Sequence, residues 1–112
     1  MKLFVDDVRN RPEGWYIART VTDAIRILAS MPVKEVSLDH DIAFQGRHGA
    51  ELETFEGVAW YIAGMAIDKR PVIVYIHTAN MLAAARMAQI LSDAGINAVI
   101  RSVDESLPER EI

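Results

Sequence analysis

Three short apolar runs in this chain each end in a polar cluster. Leu3-Phe4-Val5 runs into Asp6-Asp7, Val36-Ser37-Leu38 into Asp39-His40-Asp41, and the run at 72–76 into His77-Thr78. Runs of this length suit strands buried on both faces of a parallel sheet. After the first strand, at 2–5, the turn formers Asn10, Pro12 and Gly14 leave no room for a helix before a short β-like run at 15–19. Ala24, Ile25, Ile27, Leu28 and Met31 then recur at helical spacing, between a Thr20 or Thr22 cap and Pro32.

A third strand is predicted at 35–38. Residues 42–53 carry Gly46 and Gly49 and no clear period, which predicts a loop long enough to act as a mobile flap over the strand ends. Val58, Tyr61, Ile62, Met65 and Ala66 mark one face of a helix over 54–69, ended by Arg70-Pro71. The strand at 72–76 is followed by a helix over 81–94, capped by Thr78 or Asn80 and closed by Gly95. A fifth strand is predicted at 97–101, and 102–112 as a flexible tail, either one helical turn or disordered.

Strands alternating with helices imply a parallel sheet with right-handed crossovers, in the order 2-1-3-4-5. One link is awkward. Nine residues, Asp6 to Gly14, separate the first two predicted strands, whereas a parallel crossover ordinarily takes about a dozen. The second strand is therefore either reached by a stretched crossover or antiparallel. In such a sheet the three polar clusters share the rim at the carboxyl ends of the strands, where α/β proteins bind ligands.

Composition narrows the function classes. The 112 residues are expected to form one domain, large enough to bury roughly two thirds of the unfolded surface. The absence of cysteine excludes disulfides and thiolate zinc sites. A net charge of -4 argues against bulk nucleic-acid binding, without excluding a nucleotide. The N-terminus reaches Asp6-Asp7 before any apolar run of signal-peptide length, and the longest apolar run, 57–67, is too short to span a membrane, so a cytoplasmic protein with no membrane partner is expected.

The clusters suggest phosphate chemistry. Asp6, Asp7 and Asp39 would gather three carboxylates on one rim, where repulsion calls for a cation or a proton, with magnesium the natural occupant and manganese its substitute. Removing one acid would then relieve repulsion and need not harm folding. His40, between Asp39 and Asp41, is placed for general acid work, and His77 for the complementary role, with Asp41 grouped with them. Thr78 and Asn80 flank a helix N-terminus that favours phosphate, and Arg9 and Arg101 could clamp an anion or pair with the acids. Each also has an ordinary reading: capping, turn formation, or a strand-end histidine satisfied by backbone.

The order of these parts resembles the receiver domain of bacterial response regulators, a flavodoxin-like three-layer α/β sandwich. That resemblance implies magnesium at Asp6 and Asp7, phosphate on Asp39 and a phosphoryl contact from Thr78. Arg101 stands where a receiver has lysine, and the first helix is reduced or missing; both departures weigh against phospho-signalling. The chain is more closely similar to the cyclic-phosphate processing receiver domain family. Its Asp6-Asp7-Val8-Arg9, Leu38-Asp39-His40-Asp41 and His77-Thr78-Ala79-Asn80 match that family's three motifs, although Met81-Leu82-Ala83 replaces the Pro and Gly that often follow the last.

The resemblance implies a metal-assisted phosphoesterase acting on cyclic phosphates of nucleotides or RNA ends. The expected ligand is a small phosphorylated molecule or an RNA end. The alternative is a non-catalytic receiver-like module that binds a partner protein or nucleotide, with or without phosphorylation at Asp39.

Overall fold

The computed structural model describes residues 1–40 and 54–101. The element order is β1 (Lys2–Val5), β2 (Tyr16–Ala18), α1 (Val21–Ser30), β3 (Glu35–Leu38), α2 (Glu56–Ala63), a 3₁₀ turn (Ile67–Lys69), β4 (Ile73–Ile76), α3 (Met81–Asp93) and β5 (Asn97–Ile100). The strands form one sheet in the order β2-β1-β3-β4-β5, all parallel, which is the flavodoxin-like arrangement of receiver domains. The flap predicted at 42–53, residue Asp41 and the tail at 102–112 lie outside the described residues. Among the described residues no helix is long and apolar enough to cross a membrane.

Connection handedness decides where the helices go. The steps β2 to β3, β3 to β4 and β4 to β5 all move the same way across the sheet, so right-handed crossovers place α1, α2 and α3 on one face. Packing agrees. Leu3, Val5, Val36, Leu38, Val74 and Ile76 share one buried cluster with Ala24 and Leu28 of α1, Val58 and Ile62 of α2, and Met87 and Leu91 of α3. The alternate strand residues Phe4, Ser37 and Tyr75 therefore point to the other face.

The step from β1 to β2 runs the opposite way, and its crossover belongs on that second face. It carries no helix: ten residues, 6–15, connect Val5 to Tyr16, yet β2 pairs parallel with Leu3 opposite Tyr16 and Val5 opposite Ala18. The stretched crossover is thus the one that forms. Gly14, at φ +89°, supplies the left-handed turn that brings the chain back. The Trp15 ring then meets Phe4 edge-on at 6.4 Å, covering part of the face a first helix would cover.

Helix ends follow local chemistry. Thr20 caps α1 by accepting the Asp23 N–H, and Asn80 caps α3 by accepting the Ala83 N–H. Gly95, at φ +84°, follows α3 as predicted. The helix predicted over 54–69 is shorter, because α2 stops at Gly64, whose N–H turns back to the Trp60 and Tyr61 carbonyls. Arg70 then binds the freed carbonyls: Nε donates to Met65 O at 3.0 Å, Nη2 to Ala63 O at 3.1 Å, and Nη1 to Ala94 O at 2.7 Å. One guanidinium thereby ties the ends of two helices together.

Replacing Arg70 by Met keeps the stem and removes all three bonds. Stability in urea should fall by about 1.5–3 kcal/mol, the range for hydrogen bonds from a charged donor. A change within about 0.5 kcal/mol, usual for an uninvolved surface position, would contradict this reading.

Candidate functional site

One residue beyond the last register row, β1, β3, β4 and β5 present Asp6, Asp39, His77 and Arg101 side by side. Parallel pairing aims these side chains to the face opposite the helices. Asp6 and His77 have no exposed surface, and Asp39 is also buried. One ligand atom from each of Asp6, Asp39 and His77 lies within 4.8 Å of the others. Asp7, half-buried and next in the chain, is not part of that group; His77 takes the place expected for it.

Four donors hold the Asp6 carboxylate. Its Oδ1 accepts the backbone N–H of Val8 and of Arg9, both at 2.9 Å. Its Oδ2 accepts Arg9 Nη1 at 2.9 Å and lies 2.9 Å from His77 Nε2. Burial alone would push this carboxyl up, but the bonds from His77, the two amides and the Arg9 guanidinium together hold it well below the usual carboxylate range. Asp6 is therefore ionised. His77 Nε2 must then carry a proton to donate, and His77 Nδ1 faces the Ser37 hydroxyl at 2.7 Å.

Asp39 is treated differently by its surroundings. Burial and the nearby negative charge of Asp6 push its carboxyl up, against the opposing pull of the His40 N–H and Arg9. Its Oδ1 accepts the His40 N–H at 2.7 Å, and its Oδ2 accepts Arg9 Nη1 at 3.3 Å. Arg9 thus bridges the two carboxylates. Burial works against its charge, but Asp6 and Asp39 outweigh that and strengthen its hold on the proton. Arg19 anchors the same loop by donating Nη1 to the carbonyls of Arg9 at 2.9 Å and Asp6 at 3.3 Å.

The donor types at this cluster, two carboxylates and an imidazole, are those a divalent cation takes. Their arrangement does not fit one. An ionised carboxylate has about four lone-pair positions, and those of Asp6 are filled by four protein donors. The Arg9 guanidinium, a cation itself, already bridges Asp6 and Asp39.

The remaining predicted residues divide into two sets. His40 follows Asp39 at the rim, half-buried, with its backbone fixed on both sides: its N–H goes to Asp39, and its carbonyl accepts the Phe55 N–H at 2.8 Å. His77, predicted as the partner of His40 in proton transfer, is enclosed, with both ring nitrogens engaged inside the protein. Thr78 and Asn80 spend their acceptors on local structure, Thr78 Oγ1 on the Asn80 N–H at 3.2 Å and Asn80 Oδ1 on the Ala83 N–H at 3.1 Å. The Arg101 guanidinium carbon lies 4.0 Å from the centroid of the Tyr75 ring, a cation–π contact.

Ser37 was not anticipated as part of this cluster. The available signal was one hydroxyl in an apolar strand, which would be costly to bury without a partner.

A family model described as the cyclic-phosphate processing receiver domain matches residues 1–93. No curated protein sequence and no solved structure gives a significant match.

The two acids should respond oppositely to mutation. Asp6 has a depressed folded-state pKa, so its contribution is complete above the unfolded value of about 3.9 and is lost only as pH falls well below it. Asp6→Asn removes the charge that Arg9 and His77 share and leaves Arg9 only its longer contact with Asp39, and should cost about 3–5 kcal/mol at neutral pH, as when one partner of a buried pair is removed. Asp39 has a raised folded-state pKa, so its ionisation costs stability as pH climbs from about 3.9 through the raised value. Thermal melts should show Asp39→Asn equal to or above wild type at pH 7, with any advantage shrinking towards pH 4. Equal losses for both variants at pH 7 would contradict this assignment.

Proposed function

The chain belongs to the cyclic-phosphate processing receiver domain family, and on that premise we propose that it opens cyclic phosphate esters at the carboxyl rim of its sheet. The observation that carries this reading is the convergence of Asp6, Arg9, Asp39 and His77 from three strands and one loop at that rim, with His40 beside them. The substrate class is a small cyclic nucleotide or the cyclic phosphate of an RNA end.

Opening such an ester adds the oxygen of water to phosphorus and breaks one P–O bond. The water must lose a proton, the departing oxygen must gain one, and negative charge builds on the phosphoryl oxygens. Arg9 supplies positive charge. Its Nη1 is committed to the two carboxylates, but its side chain is 26% exposed and a guanidinium has further N–H donors to offer a phosphate. His40 is the proton-transfer group, its backbone fixed by Asp39 and Phe55. His77 supports the site from behind by holding Asp6. Thr78, Asn80 and Arg101 are proposed to border the phosphate, and Asp41 to act beside His40.

A divalent cation at Asp6, Asp7 and Asp39 has no step in this mechanism, since Arg9 already neutralises the pair. The alternative of phosphorylation at Asp39 is less well supported, because burial and Asp6 disfavour the ionised carboxylate that would have to attack phosphorus.

The test is a screen of 2′,3′- and 3′,5′-cyclic nucleotides, run with magnesium, with manganese and with chelator. Turnover of at least one is expected, persisting in chelator. His40→Asn should fold normally and lose roughly 10²–10⁴-fold in rate, the contribution of a positioned proton-transfer group. Absence of turnover in every condition, or full activity in His40→Asn, would overturn the proposal.

A further inference from the structure

Ser37 lies outside all three family motifs, in the middle of β3 between Val36 and Leu38, and is only 4% exposed. It is too enclosed to attack a substrate. Its hydroxyl lies 2.7 Å from Nδ1 of His77, whose ring has no exposed surface. That ring stacks on Phe4, with centroids 4.7 Å apart and planes 5° from parallel, so it is gripped by its face as well as at both nitrogens.

We infer that Ser37 is a positioning residue: it holds Nδ1 of His77 and so keeps the ring oriented towards Asp6, the buried partner of the Arg9 side chain that meets the substrate. A neutral imidazole has one donor nitrogen and one acceptor. Asp6, ionised and acceptor-only, demands the donor at Nε2, which leaves Nδ1 as the acceptor and the Ser37 hydroxyl as its donor. Without that hydroxyl, Nδ1 is a buried acceptor with no partner. The ring is then held at one nitrogen only, and any loosening of it weakens the Nε2 bond to Oδ2 of Asp6 and alters what that oxygen shares with Arg9. The logic is that of a catalytic triad with Asp6 at one end, although here the serine sets the orientation and does not react.

The part of this inference that concerns catalysis rests on the proposed phosphoesterase reading; the hold of Ser37 on the ring does not. The test records the ring ¹⁵N signals of His77 in wild type, Ser37→Ala, Ser37→Thr and Phe4→Leu, with cyclic-nucleotide turnover measured in parallel. A single tautomer protonated at Nε2 is expected in wild type and in Ser37→Thr, which keeps the hydroxyl. The same is expected in Phe4→Leu, which disturbs packing without touching either bond. Ser37→Ala should keep the proton at Nε2 but move the Nδ1 signal towards that of an acceptor without a hydrogen bond. Its kcat should fall roughly 10–100-fold, as when a group orienting a functional side chain is removed, and recover in Ser37→Thr. Unchanged ring signals in Ser37→Ala would overturn the inference, as would altered signals with unchanged kcat. If wild type itself turns over no cyclic phosphate, the functional reading fails, while the ring signals still decide whether Ser37 holds the ring.

Discussion

A carboxylate with no exposed surface lies at the end of β1, and it persists as an anion because four donors converge on it. Two are amides of its own loop, one is a guanidinium three residues on, and one is an imidazole from a strand 71 residues away in sequence. Burying such a charge without these partners would cost many kcal/mol. The loop after β1, the placement of Arg9 and the enclosure of His77 all depend on that satisfaction. Asp39, one strand over, shares Arg9 and bears the repulsion, so two chemically identical side chains lie on opposite sides of their ordinary acidity.

This arrangement also explains how the sheet tolerates a missing helix. A receiver-type fold ordinarily spans the step from first to second strand with a helix, whose backbone satisfies itself. Here ten residues cross instead. Their polar groups are taken up by the Asp6 side chain, by Arg19 and by the turn closed between Trp15 N–H and the Pro12 carbonyl. The same side chain that organises the rim therefore folds the crossover. A substitution at Asp6 acts on both, which separates it from Asp39, whose one bond to the crossover is the 3.3 Å contact from Arg9.

Much of this was legible in the sequence because it depends on local pattern. Apolar runs gave the strands, helical spacing and Pro32 gave α1, and strands of one direction necessarily bring their terminal polar residues to one rim. What was not legible depends on partners distant in sequence. Nothing near Arg70 indicates that it will bind the ends of two helices, so the helix over 54–69 was drawn past Gly64. Nothing near Ser37 indicates His77, 40 residues on. Pattern alone points to a cation beside the acids after β1 and β3 and leaves open whether Arg9 pairs with them; only the folded loop shows that Arg9 reaches both Asp6 and Asp39.

The account stands on the unequal ionisation of two neighbouring aspartates, which carboxyl-carbon NMR titration in cation-free buffer reads directly. Asp39 should take up its proton above the ordinary aspartate value of about 3.9, while Asp6 stays ionised through that range and below it. Asp6 titrating at or above the ordinary value, or before Asp39, would contradict the account.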